Sequence, residues 1–113
     1  MTESGMPYRN LTSSDVKAAL DQGKHFRLID IREPHEHAIA SIEGAELLPM
    51  SRAQEWVGSL ARDEELVFFC HHGARSQYLA QVLATQLGFQ HVANMMGGIE
   101  DWAVRIDPNV PRY

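Results

Sequence analysis

Leu66-Val67-Phe68-Phe69-Cys70-His71-His72-Gly73-Ala74-Arg75-Ser76 passes from an unbroken apolar run into a short polar loop. Four apolar residues with almost no polar alternation are the pattern of a strand covered on both faces, as in a parallel sheet. Beyond Arg75, Leu79, Val82, Leu83 and Leu87 share one helical face, which stops at Gly88. Strand, loop and helix in that order indicate alternating α/β structure. Cys70, the only cysteine of the chain, stands where the strand ends.

The alternation continues outward in both directions. Tyr8 to Leu11 reads as a short strand. Ser13 or Ser14 is expected to cap a helix bearing Val16, Ala19 and Leu20 and ending near Gly23. Phe26 to Ile31 is β-rich, and Pro34 confines the next residues to a turn and a short helix around His35 to Ala40. Ala45 to Leu48 reads as a strand stopped by Pro49. Ser51 is expected to cap a helix through Leu60 with Trp56, Val57 and Leu60 on its inner side. Glu65 to Phe69 is the strand quoted above, and His91 to Asn94 reads as the last one. Gly97-Gly98 precedes a final helix with Ile99 and Trp102, and two prolines after Asp107 predict an irregular tail. The expected fold class is α/β: one domain over residues 1–113, its core at about 8–106, with a central, mainly parallel sheet flanked by helices.

A chain of 113 residues suits one hydrophobic core. The formal charge of −5 opposes general nucleic-acid affinity, which needs a basic face. One cysteine cannot form an internal disulfide, so a reducing compartment is expected. Met1 to Asn10 contains Gly5 and Pro7 and lacks the long apolar stretch of a signal peptide, and no run reaches the length of a membrane span. The expectation is a cytoplasmic domain with neither nucleic acid nor membrane as partner.

A thiol at a strand end, facing the first turn of a helix, sits among unpaired backbone N–H groups and the positive end of the helix dipole. That setting favours the thiolate and makes a cradle for anions. From Cys70 to Arg75 the spacing is Cys-x4-Arg. Gly73 supplies the backbone freedom of a tight turn, and N–H groups from His71 to Ser76 can converge on an anion or on a sulfur carried by Cys70. Arg75 adds a permanent charge with forked geometry for an oxyanion. Ser76 can cap the helix or donate a hydrogen bond. The plainer alternative makes Cys70 a buried strand-end cysteine and Arg75 a surface residue. Strand, Cys, Gly, Arg-Ser and helix occurring together argue for covalent cysteine chemistry on a small oxyanion.

With these residues in place, the chain resembles the rhodanese-like sulfurtransferases over nearly its whole length. Leu28-Ile29-Asp30-Ile31-Arg32-Glu33-Pro34 is similar to the family's first signature, with Asp30 and Arg32 at its Asp-x-Arg positions and Glu36 where a glutamate is usual. Ile42-Glu43-Gly44-Ala45 resembles the Ile-Pro-Gly-Ala segment, although Ala40-Ser41 replaces the preceding Gly-His. The Cys70 loop resembles the catalytic loop, with His71-His72 in place of a more familiar Arg-Ser or similar pair. Gly97 to Trp102 resembles the Gly-Gly-x-x-x-Trp signature. The resemblance implies that Cys70 takes the outer sulfur of thiosulfate or a related small sulfur anion as a persulfide. His71, His72, Gly73, Ala74, Arg75 and Ser76 would hold it, and a thiophilic acceptor such as cyanide, a thiol or a partner cysteine would remove it. It implies no metal and no organic cofactor.

Two rival functions share the same loop. Cysteine-dependent phosphatases use Cys-x5-Arg, one residue longer, and an arsenate reductase could use a similar thiolate nest. A sulfur-carrier or interaction module would exchange sulfur with proteins and turn over little thiosulfate. Asp30 and Arg32, two apart at a strand end, point to the same side, and a structural supporting role is favoured over one in shaping the site. His35, Glu36, His37, His71, His72 and His91 form no recognisable metal-ligand spacing. Trp56 and Trp102 read as core or helix-packing residues, and for Met95-Met96 core filling is favoured over lining the pocket mouth.

Overall fold

Thr12, one residue earlier than expected, caps the first helix. The computed structural model describes residues 7–113, so the expectation for the leading residues 1–6 lies outside it. After β1 (Arg9–Leu11), the Thr12 hydroxyl accepts from Asp15 N and the Asp15 carboxylate accepts from Thr12 N, both at 3.0 Å, which starts α1 (Ser13–Asp21). Ser13 is buried instead and donates to Asp101 across the molecule. β2 (Arg27–Asp30) leads to α2 (Pro34–Ile39), with proline at the first helical position where its missing N–H costs nothing. β3 is Glu46–Leu47.

The helix expected from Ser51 to Leu60 is broken. A 3₁₀ turn (Met50–Arg52), a single helical turn α3 (Ala53–Trp56) and a second 3₁₀ turn (Val57–Ser59) replace it. Side chains bond the backbone here and compete with a longer helix: Trp56 donates its indole N–H to Pro49 O, and Ser59 donates to Trp56 O. Trp56 and Leu60 are still buried, as their spacing predicts. β4 (Leu66–Phe69), α4 (Ala74–Gln86), β5 (Val92–Met95) and α5 (Gly98–Arg105) complete the chain. On α4 the buried stripe is Ser76, Leu79, Ala80 and Leu83, and Leu87 lies beyond it in solvent.

The five strands lie in the order β1-β5-β4-β2-β3, and every pair is parallel. β4 is central and alternates its side chains between two cores. Leu66, Phe68 and Cys70 pack with Trp56, Leu60, Leu79 and Leu83 on one face. Val67 and Phe69 pack with Val16, Ile99 and Trp102 on the other. This double cover explains why β4 reads as continuously apolar. Phe68 is fully buried, and its truncation to alanine would cost about 3–5 kcal/mol. Parallel pairing brings all strand ends to one edge, where open α/β sheets bind their ligands. Cys70 stands at that edge. No helix among the described residues is long and apolar enough to cross a membrane.

Candidate active site

Cys70 follows β4 directly, with only 1% of its surface exposed. Gly73, at φ +107°, turns the chain into α4, and its N–H donates to Cys70 Sγ at 3.1 Å. Ser76 Oγ lies 3.5 Å from the same sulfur. Its hydroxyl carries one proton, and the shortest acceptor, Asn94 Oδ1 at 2.6 Å, takes it. Asn94 in turn donates to Asn10 Oδ1 at 3.1 Å. The first N–H groups of α4 have no acceptor inside the helix and face this end of the sheet. Asn94 escaped the sequence reading. Its signal was a polar residue inside the buried run Val92-Ala93-Asn94-Met95, where an amide must find partners.

The Gly97-Gly98 pair has a steric reason. Gly98 has φ +61°, and a Cβ there would lie 2.4 Å from the carbonyl oxygens of both Cys70 and His71. This approach lets Ile99 N and Glu100 N donate to those two carbonyls at 2.9 and 3.0 Å. Gly73 is close-packed too, though less severely, since its Cβ would meet Gly97 N at 3.1 Å. The cysteine loop is therefore seated on the N-terminal turn of α5.

Arg75 does not offer a free charge. Its guanidinium grips Glu36 with two bonds, Nη1 to Oε1 at 2.8 Å and Nη2 to Oε2 at 3.0 Å. Hydrogen bonding from Arg75 holds the Glu36 carboxyl down to about 2, against the opposing effect of burial. Tyr113 donates to Glu36 Oε2 at 2.8 Å and accepts from Arg32 Nη1 at 2.8 Å. Arg32 is fully buried and is also held by both oxygens of Asp30 and by the carbonyls of Glu36 and Ala40. Asp30 also accepts from Arg32 N and pairs with His37. Asp30 and Arg32 thus tie β2 to α2, the helix that carries Glu36, and have no bond to Cys70.

His71 is partly buried and stacks on His72 (centroids 3.9 Å apart, 28° between planes) and on Tyr113 (3.9 Å, 7°). Burial, aided by the neighbouring His72, pushes His71 below the ordinary imidazole range, which leaves it neutral at pH 7. Its Nε2 is buried with no hydrogen-bond partner among the described residues. His72 and Ala74 are exposed. His71, His72 and Glu100 bring three donor groups within 4.8 Å, a grouping their sequence spacing did not suggest. The two rings are stacked, however, so their in-plane lone pairs do not converge on one ion, and Glu100 is paired with Arg112. The structure thus brings together Cys70, Gly73 and Ser76 of the expected site, turns Arg75 to Glu36, and sets Asp30 and Arg32 behind it.

The rhodanese-like domain family matches residues 12–105 of this chain. "Probable adenylyltransferase/sulfurtransferase MoeZ" of Mycobacterium tuberculosis is 35% identical over 107 residues, covering 91% of this chain and 26% of that protein. The chain therefore spans about a quarter of that relative's length. A sulfurtransferase of Allochromatium vinosum is 34% identical over 93 residues, which are 82% of this chain and 86% of its own. The crystal structure of a rhodanese-related protein from Thermoplasma volcanium matches with a TM-score of 0.74 at 30% identity, covering 92% of this chain and 96% of the other. The chain belongs to the rhodanese-like domain family and has the rhodanese fold. Relatives it matches are named as sulfurtransferases and, in Bacillus subtilis, as a "Putative sulfur carrier protein".

Proposed function

We propose that this domain transfers a sulfane sulfur through a persulfide on Cys70. The observation that carries the reading is the sulfur itself: Sγ at a strand end, 3.1 Å from the Gly73 N–H, ahead of the unpaired N–H groups of α4. In the first half-reaction the Cys70 thiolate attacks the outer sulfur of the donor. The donor S–S bond breaks, its electron pair leaves with the donor remainder (sulfite in the case of thiosulfate), and Cys70–S–S⁻ remains. An acceptor nucleophile then attacks the terminal sulfur, the Cys70 S–S bond breaks, and the thiolate returns. His71 to Ser76 form the loop round the transferred sulfur, and a small sulfur anion or a thiol and protein acceptor are the partners. Two displacements of this kind give ping-pong kinetics.

The Glu36–Arg75 pair favours a second reading of the donor. With its guanidinium already neutralised, the loop draws a dianion mainly through backbone N–H groups, and a protein-borne persulfide becomes a competing donor. The test is intact mass after thiosulfate or a low-molecular-weight persulfide. Wild type gains one sulfur atom and loses it to cyanide, and Cys70→Ser gains none. The same preparation is expected to leave an aryl phosphate intact, because only four residues separate Cys70 from Arg75 and the loop closes on a smaller volume. Aryl phosphate hydrolysis through Cys70 that outpaces sulfur transfer would replace this reading with a phosphatase.

A further inference from the structure

Tyr113 touches the start of the cysteine loop and reaches its end through Glu36. Its ring lies on His71, the residue after Cys70, at 3.9 Å and nearly parallel. Its hydroxyl bonds Glu36 Oε2 at 2.8 Å, and Glu36 grips Arg75, the last residue of the Cys-x4-Arg spacing. The same oxygen accepts from the fully buried Arg32, which is locked to Asp30. The hydroxyl therefore joins the rigid β2 network to the loop. The segment 107–113 is anchored on its way there: Val110 is buried, and Arg112 pairs with Glu100 beside the loop.

His71 depends on this contact. Its Nε2 makes no hydrogen bond among the described residues, so ring stacking is what orients it, and one of its two stacking partners, His72, is exposed. A cradle of N–H groups stabilises a transferred sulfur only while the loop keeps its shape. We propose that Tyr113 is a positioning residue for Cys70, holding the start of the loop through His71 and its end through Glu36 and Arg75. The proposal rests on the sulfur-transfer reading for its consequence, and on geometry alone for the clamp.

Tyr113→Phe keeps the ring and removes the hydroxyl, and Tyr113→Ala removes both. Two rates are compared with wild type: single-turnover sulfur uptake by Cys70, and alkylation of Cys70 by iodoacetamide over a pH series. A loosened loop uncovers the buried sulfur while it spoils the cradle. Tyr113→Ala is therefore expected to be alkylated several-fold faster and to take up sulfur about tenfold more slowly, with Tyr113→Phe between it and wild type. A tail that merely adds stability would lower the melting temperature without these opposite shifts. Both rates within about twofold of wild type, or both moving in the same direction, overturn the clamp. Should Tyr113→Ala fail to fold, Tyr113→Phe decides alone by the same criterion. Wild type that takes up no sulfur from any donor defeats the sulfur-transfer reading, and the alkylation rates still judge the clamp.

Discussion

Replacing Gly98 with alanine puts a methyl group where there is no room for one. Its Cβ would lie 2.4 Å from the carbonyl oxygens of Cys70 and His71, and 2.6 Å from the His71 carbonyl carbon. All three are backbone atoms, so no flexible side-chain end can give way. The position also has φ +61°, which costs an L-residue about 1–2 kcal/mol. Relief requires α5 to draw back from the loop, which stretches the bonds from Ile99 N and Glu100 N to those carbonyls. Each such bond contributes about 1 kcal/mol. The expected destabilisation is about 3–4 kcal/mol, and the expected drop in Tm is roughly 10–20 °C for a domain of this size. Urea unfolding followed by far-UV circular dichroism, with a thermal scan, measures both. Gly88→Ala is the control, because Gly88 has φ +74° and nothing within 4 Å of its Cβ, so it reports the backbone strain alone. If Gly98→Ala costs no more than Gly88→Ala, the loop is not seated on α5 as described.

Three further predictions concern Glu36 and its partner Arg75. Its carboxyl is held at about 2 in the folded protein against an ordinary value of 4.5, so its contribution to stability is complete above pH 4.5 and is lost as the pH falls through 2. The stability gap between wild type and Glu36→Gln should hold from pH 7 to about 5 and close on further acidification, and a gap unchanged at pH 2 would contradict this. Arg75→Ala leaves Glu36 without its cation, so the double variant Arg75→Ala/Glu36→Gln should be less damaged than the two single losses added together, with a coupling of about 0.5–3 kcal/mol in urea titrations. In the double variant, which removes the ion pair at constant net charge, sulfur uptake should fall equally for thiosulfate and for an uncharged donor such as an organic trisulfide. A selective loss with thiosulfate would show that the guanidinium reaches the anion after all.

The strand that ends at Cys70, the glycine turn and the helix behind it were legible because each is written in a short window: an unbroken apolar run, a residue that tolerates positive φ, a helical repeat. The five strands and the parallel sheet follow from such local periods, as does the place of Cys70 at the sheet edge. The boundary errors are instructive for the same reason. Thr12 and Ser13 are both good caps, and the choice between them was made by Asp101, 88 residues away, which accepts from Ser13. The helix from Ser51 was broken when the Trp56 indole found Pro49 O.

Much of the machinery round the cysteine joins residues that no window contains. Arg75 and Glu36 are 39 positions apart, and Tyr113 and Glu36 are 77 apart. Ser76 and Asn94 meet only because β5 lies beside β4 and beneath α4. Read alone, Arg75 is an anion-binding cation, and Gly98 is half of a signature with no visible cause. The sequence determined that a thiol would stand at the end of a buried parallel strand, because burial period and turn chemistry act between neighbours. The tertiary structure alone decided which charges are already paired and which backbone atoms touch, because ion pairs and steric contacts act through space between segments that only the finished sheet brings together.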